Sequence, residues 1–134
     1  MPGLGVRFRI DFGEQSSVGP GKIRLLEAIR DAGSLSKAAR SIGMSYRRAW
    51  LLVESLKQSF REPVTVASTG GRAGGGMRVT EFGEALIESY RKLEEDFATL
   101  AARRLRPFTA TLIRHPRSGA NLCRGAPRRT RRLR

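Results

Sequence analysis

Ser45, Tyr46, Arg47 and Arg48 place a hydroxyl, a phenol and two guanidinium groups at one point of a 134-residue chain. Such a set suits the recognition of anions and flat acceptor edges, because an Arg fork reaches two acceptors of one guanine at once. The residues that follow give it an orientation. Ala49, Leu52, Val53, Leu56 and Phe60 recur at helical spacing, so Ser45 is read as the N-cap of a helix running to about Arg61. At about 100° per residue, Arg47 and Leu51 point directly away from that apolar stripe. Arg48 lies on one shoulder, and Tyr46, Trp50 and Lys57 share the other. The competing expectation is a solvated basic face with Tyr46 and Trp50 packed at the edge of the core.

The segment before it predicts a shorter helix capped by Ser34, with Leu35, Ala38, Ala39 and Ile42 as its buried face and Gly43 as its stop. Ser34, Ser36 and Lys37 bring hydroxyls and a cation to its start, a combination suited to phosphate, though Ser34 also serves as a plain cap. Two helices joined by a tight Gly-containing turn, with small residues where they cross, form a helix-turn-helix pattern.

Elements on either side must hold that pair. Val6 to Phe12 alternates apolar and polar as a half-buried strand does, and Gly13 to Pro20 reads as a turn-rich break. Pro20 opens a helix with Ile23, Leu26 and Ile29 on one side, ending at Gly33. Beyond Pro63, Val64–Val66 and Met77–Val79 read as two strands of a hairpin whose Gly-rich tip carries Arg72. Those glycines suggest a phosphate cradle, but a P-loop ends in Gly-Lys-Ser/Thr and a dinucleotide site opens a helix. Here they separate two strands, which fits a wing laid on nucleic acid. Thr80 then caps a long helix with Glu81 and Glu84 in its first turn, where negative charge is favoured. Its seam of Leu86, Tyr90, Leu93, Phe97 and Leu100, continuing from Phe82, is expected both to pack on the first helix and strand and to pair with a second copy, the C-terminal half being freer for dimerisation. The fold class expected is α+β, mainly α: a winged helix-turn-helix of order β-α-α-α-β-β-α with a long C-terminal dimerisation helix.

Charge divides the chain. All 12 acidic residues precede Leu105, against 17 Lys and Arg up to that point, so residues 1–105 carry +5 (17 − 12) and residues 106–134 carry +9 of the total +14. The first segment is read as a packed DNA-binding domain and the second as an Arg-rich, disordered tail. That tail has the composition of a GC-rich gene read in a shifted frame; an Arg-rich arm on nucleic acid is the functional alternative. His115 and Cys123 are the only residues of their types and both fall in it, so the domain offers no His or Cys for catalysis and one chain cannot form a disulfide. No apolar run approaches the ~20 residues of a membrane span. Met1-Pro2-Gly3 lacks a signal-peptide start, so a cytoplasmic protein without membrane association is expected.

Gly33-Ser34-Leu35-Ser36-Lys37-Ala38-Ala39-Arg40, Ser45-Tyr46-Arg47-Arg48-Ala49-Trp50, Thr69-Gly70-Gly71-Arg72-Ala73-Gly74-Gly75-Gly76 and Val79-Thr80-Glu81-Phe82-Gly83 together resemble the N-terminal domain of the ModE family of molybdate-responsive transcriptional regulators, over about residues 6–105. The resemblance implies a dimeric winged helix that binds double-stranded DNA at a palindromic operator, usually repressing molybdate uptake genes. Read from the residues themselves, the expected DNA contacts are Ser34, Ser36, Lys37, Ser45, Tyr46, Arg47, Arg48, Trp50 and Arg72. Full-length members continue into oligonucleotide-binding-like domains that hold molybdate. Residues 106–134 lack that pattern, so no metal or cofactor ligand is assigned in this chain. The alternative function is a non-specific nucleic-acid-binding or architectural protein, which overall charge alone would support.

Overall fold

The computed structural model describes residues 4–68 and 75–113. Its elements run β1 (Ile10–Phe12), β2 (Ser16–Val18), α1 (Pro20–Ala32), α2 (Leu35–Ser41), α3 (Tyr46–Ser59), β3 (Thr65–Ser68), β4 (Gly76–Val79), α4 (Glu81–Arg104) and α5 (Arg106–Thr109). The chain divides into Met1–Arg103 and Arg104–Arg134.

In the first unit, α1 is the central element. Pro20 sits in its opening turn, where a missing N–H costs nothing, and Gly33 ends it at φ 77° with its N–H donating to the Ile29 carbonyl. Ile23, Leu25, Leu26 and Ile29 are fully enclosed, a wider apolar face than Ile23, Leu26 and Ile29 alone describe. Ala38 and Ala39 of α2 and Ala49, Val53 and Leu56 of α3 complete the same core, with Val64 and Val79 closing it from the hairpin side. Small side chains at 38, 39 and 49 let the two helices approach each other closely.

The N-terminal expectation needs correction. Only Ile10–Phe12 of the alternating segment forms a ladder, and the expected break contains its partner: Ile10 pairs with Val18, Asp11 with Ser17 and Phe12 with Ser16, antiparallel. Val6 and Phe8 keep the inward phase of a strand without a strand beside them. Phe8 stacks on Tyr90 at a centroid distance of 4.7 Å and meets Phe97 edge-on at 4.8 Å, and the Tyr90 hydroxyl donates to the Phe8 carbonyl at 2.7 Å. The extended segment thus covers α4 in place of joining a sheet.

Tyr90 offers a measurement of that contact. Burial, followed by the nearby Glu94 carboxylate, raises its phenol above the usual value, with Arg91 opposing. Tyr90→Phe should cost about 0.5–1.5 kcal/mol of stability at neutral pH through the lost hydrogen bond. Because the folded phenol holds its proton longer than the unfolded one, its contribution falls as pH rises above about 10. The gap between wild type and variant in urea melts should therefore narrow above that pH; a constant gap would count against the buried phenol.

β3 and β4 pair antiparallel, Thr65 opposite Val79 and Ser68 opposite Gly76. The expected tip, including Arg72, lies outside the described residues. The hairpin root is fastened to the helices, since the Met77 N–H donates to the Gly33 carbonyl at 2.9 Å. At α4, Thr80 Oγ1 accepts from the Gly83 N–H at 3.0 Å and donates to the Pro63 carbonyl at 2.6 Å. Arg91 of α4 binds Glu27 of α1 through two nitrogens and Glu94 through a third, and these carboxylates raise its pKa further. Three helices, the second and third in helix-turn-helix order, followed by a hairpin and a long helix, make a winged helix-turn-helix.

In the second unit, residues 106–109 form a single helical turn, α5, where no element was expected. Leu105 caps it without a side-chain bond, and Thr109 Oγ1 donates back to the Arg106 carbonyl at 3.1 Å. His115, Cys123 and the rest of the Arg-rich segment beyond residue 113 lie outside the described residues.

Candidate nucleic-acid interface

Local chemistry sets both helix starts. Ser34 Oγ accepts from the Lys37 N–H and Ser45 Oγ from the Arg48 N–H, each at 3.2 Å. Between them the chain turns tightly, the Met44 N–H donating to the Ala39 carbonyl at 2.9 Å and the Gly43 N–H to the Arg40 carbonyl at 3.2 Å. Because Ala49, Val53 and Leu56 are enclosed by the core, the phase of α3 is fixed and its opposite side faces solvent.

That outer side carries Ser45, Tyr46, Arg47, Arg48, Trp50 and Leu51, all exposed. Trp50 is 47 % exposed and Tyr46 57 %, so neither is an aromatic of the core edge. Ser36 and Lys37 are exposed at the start of α2, and Ser34 is half-buried beneath them. The bond from Met77 to Gly33 brings the wing root to the residue just before Ser34. The starts of α2 and α3 and the root of the wing thereby belong to one framework. Among the described residues, Lys37, Arg47 and Arg48 enter no ion pair, whereas Arg9, Arg30, Lys57 and Arg91 each meet a carboxylate. Cations left without internal partners remain available to phosphates or base edges.

The seam expected to serve dimerisation divides in two. Tyr90 is buried at 3 % exposure against its own chain, Phe97 rests on Phe8, and Leu86 packs on the core. Leu93 and Leu100 stand free, at 37 % and 38 % exposure. The helix also buries Ile87, one position from the expected seam.

Sequence reasoning overlooked Lys22. Its side chain is buried, and Nζ donates to the Ser17 carbonyl at 2.7 Å and to Ser55 Oγ at 2.9 Å, tying β2 and α1 to α3. Burial, then the charge of Arg9, lowers its pKa. The available signal was spacing: Lys22 lies on the 22-25-26-29 stripe of α1, an apolar position occupied by an amine. Both donated bonds of Lys22 are internal to the domain and help to fix α3 against α1 and β2.

Among the described residues no group of His, Cys, Asp or Glu is arranged to hold a metal ion, and no helix is long and apolar enough to cross a membrane. The exposed residues at the starts of α2 and α3 give that side of the domain a basic surface. Residues 21–84, from α1 through the start of α4, match the bacterial regulatory helix-turn-helix family of the LysR type. That match spans just under half of the chain. The chain is similar to the molybdenum-pterin-binding protein MopA of Rhodobacter capsulatus, 49 % identical over 77 residues that make up 58 % of this chain and 29 % of that protein. It is similar to the molybdenum transport protein ModE of Azotobacter vinelandii, 34 % identical over 97 residues, 72 % of this chain and 36 % of the relative. The DNA-binding transcriptional dual regulator ModE of Escherichia coli is 36 % identical over 76 residues, 57 % of this chain and 29 % of its own length. The chain thus matches about a third of the length of these relatives. The matched family model ends at residue 84, so most of α4 lies beyond the helix-turn-helix region itself.

Proposed function

We propose that this chain is a sequence-specific DNA-binding transcriptional regulator, not an enzyme, that acts in the cytoplasm as a homodimer on a palindromic operator of genes connected with molybdenum. One observation carries the reading: Arg47 and Arg48 stand exposed, and without ion-pair partners among the described residues, in the first turn of the second helix of a helix-turn-helix. In that motif the N-terminal residues of the second helix meet base edges in the major groove. Arg47, at the centre of the outer side, is assigned to a guanine edge. Ser45, Tyr46, Arg48 and Trp50 flank it. Ser34, Ser36 and Lys37 are assigned to the phosphate backbone, as is Arg72 from its place in the wing sequence. The connection with molybdenum rests on the names of the relatives.

Selection from a random pool of duplex DNA, followed by competition titrations, tests the reading. A regulator should prefer its selected site over random duplex by about a thousandfold or more. Arg47→Ala should lose about 1–3 kcal/mol at that site and relax the preference at one base pair while leaving binding to random DNA almost unchanged. Equal affinity for selected and random duplexes would favour the architectural, non-specific alternative.

A further inference from the structure

Leu51 is 49 % exposed and sits one helical turn after Arg47 in the same outward column, next to Trp50 and with Tyr46 a turn behind. A single exposed leucine is ordinary, but Leu51 follows Arg47 on the outward column of a helix whose first turn is basic, with Tyr46 and Trp50 exposed on one shoulder. The flanking arginines limit what can cover it. A surface that brings anionic charge to Arg47 and Arg48 and an apolar group to Leu51 at the same moment matches the major groove, where the C5 methyl of thymine is the apolar feature.

We infer that Leu51 is a specificity-determining residue that reads the methyl group of a thymine, an inference that rests on the DNA-binding reading above. Four residues of α-helix rise about 6 Å, close to two base steps of about 3.4 Å. The thymine therefore lies about two base pairs from the base pair read by Arg47. Arg47 supplies polar discrimination at one position and Leu51 apolar discrimination at the next but one, so that one helix face reads a short mixed-sequence element.

The test uses the full chain and the duplex it selects from a random pool. Each thymine of the half-site is replaced in turn by deoxyuridine, which removes one methyl group and leaves every base-pairing atom in place. Wild type should lose about fourfold in affinity at one thymine, the value expected for one methyl group returned to water. Leu51→Ala should bind the unmodified site about fourfold or more weakly and show no further loss from deoxyuridine at that same position. Leu51 lies outside the core, and unchanged helical circular dichroism will verify that the variant folds. Should Arg47→Ala relax specificity while no deoxyuridine position separates wild type from Leu51→Ala, the thymine assignment falls and the DNA-binding reading stands. A loss of self-association in Leu51→Ala would give Leu51 to a second copy of the chain and overturn the assignment. Absence of any sequence preference in wild type would overturn both readings.

Discussion

Gly83→Ala should destabilise the domain by about 1–3 kcal/mol, although alanine is the better helix former. A Cβ on Gly83 would lie 2.4 Å from the Val64 carbonyl oxygen and 2.7 Å from Val79 Cγ1. The first of these atoms belongs to the backbone and cannot swing aside. It also accepts the Thr80 N–H at 3.0 Å, so displacing it disturbs the joint that carries α4 away from the wing. The usual gain of about 0.5–1 kcal/mol from replacing a helical glycine is smaller than the cost of that overlap. Gly21→Ala is the matching control. Gly21 is also helical, and nothing lies within 4 Å of its ideal Cβ position, so this variant should gain about 0.4–1 kcal/mol. Urea melts of the two variants should move in opposite directions from wild type. A Gly83→Ala protein as stable as wild type would mean that α4 and the hairpin do not approach so closely in solution. Because Val64 leads directly into β3, the variant should also weaken DNA binding by loosening the wing.

The parts of this fold that were legible in the sequence are those decided within one turn of chain. Ser34, Ser45 and Thr80 accept from backbone N–H groups three residues on, Pro20 opens a helix and Gly33 closes one, all as their types predict. Those caps fix where α3 begins, and the apolar stripe fixes its phase, so the exposure of Arg47 and Arg48 followed without tertiary information. Features decided by distant partners were not legible. Ser16–Val18 has no apolar alternation of its own and becomes a strand because Ile10–Phe12 folds back onto it. Lys22 looks like any surface lysine until Ser55, 33 residues away, is placed opposite its ammonium group. Along α4 both 82-86-90 and 83-87-90 have helical spacing, and the approach of Val64 to Gly83 turns Ile87 inward. The packing of α4 on the N-terminal segment was legible, but periodicity left open that Phe8 would be the residue covering Tyr90 and Phe97. What the candidate site touches belongs to a partner molecule, and its residues were legible only as a surface with the right chemistry.

Replacing both Leu93 and Leu100 by Glu should yield a folded monomer with operator affinity reduced about a hundredfold or more. The two leucines are seven residues apart on the same side of α4 and remain more than a third exposed, whereas Tyr90 and Phe97 between and beside them are occupied by Phe8. A second copy would cover the outer pair, at a gain of about 1.5–3 kcal/mol for each leucine fully enclosed. In a two-fold interface each substitution brings a carboxylate to both chains, so like charges meet as the apolar contact disappears. The intrachain contacts of α4, including the Tyr90 bond to Phe8 and the Arg91 pairs with Glu27 and Glu94, do not involve the substituted residues, which is why folding should survive. The loss of DNA binding then comes from effective concentration: a dimer holds its second recognition helix at the neighbouring half-site, and such linkage raises affinity by about a hundredfold to ten-thousandfold. Sedimentation should show a wild-type dimer and a monomeric variant. Titrations should show wild type binding the full palindrome far more tightly than a lone half-site, and the variant binding both alike. A wild-type monomer, or a double variant that still sediments as a dimer, would remove α4 from the interface.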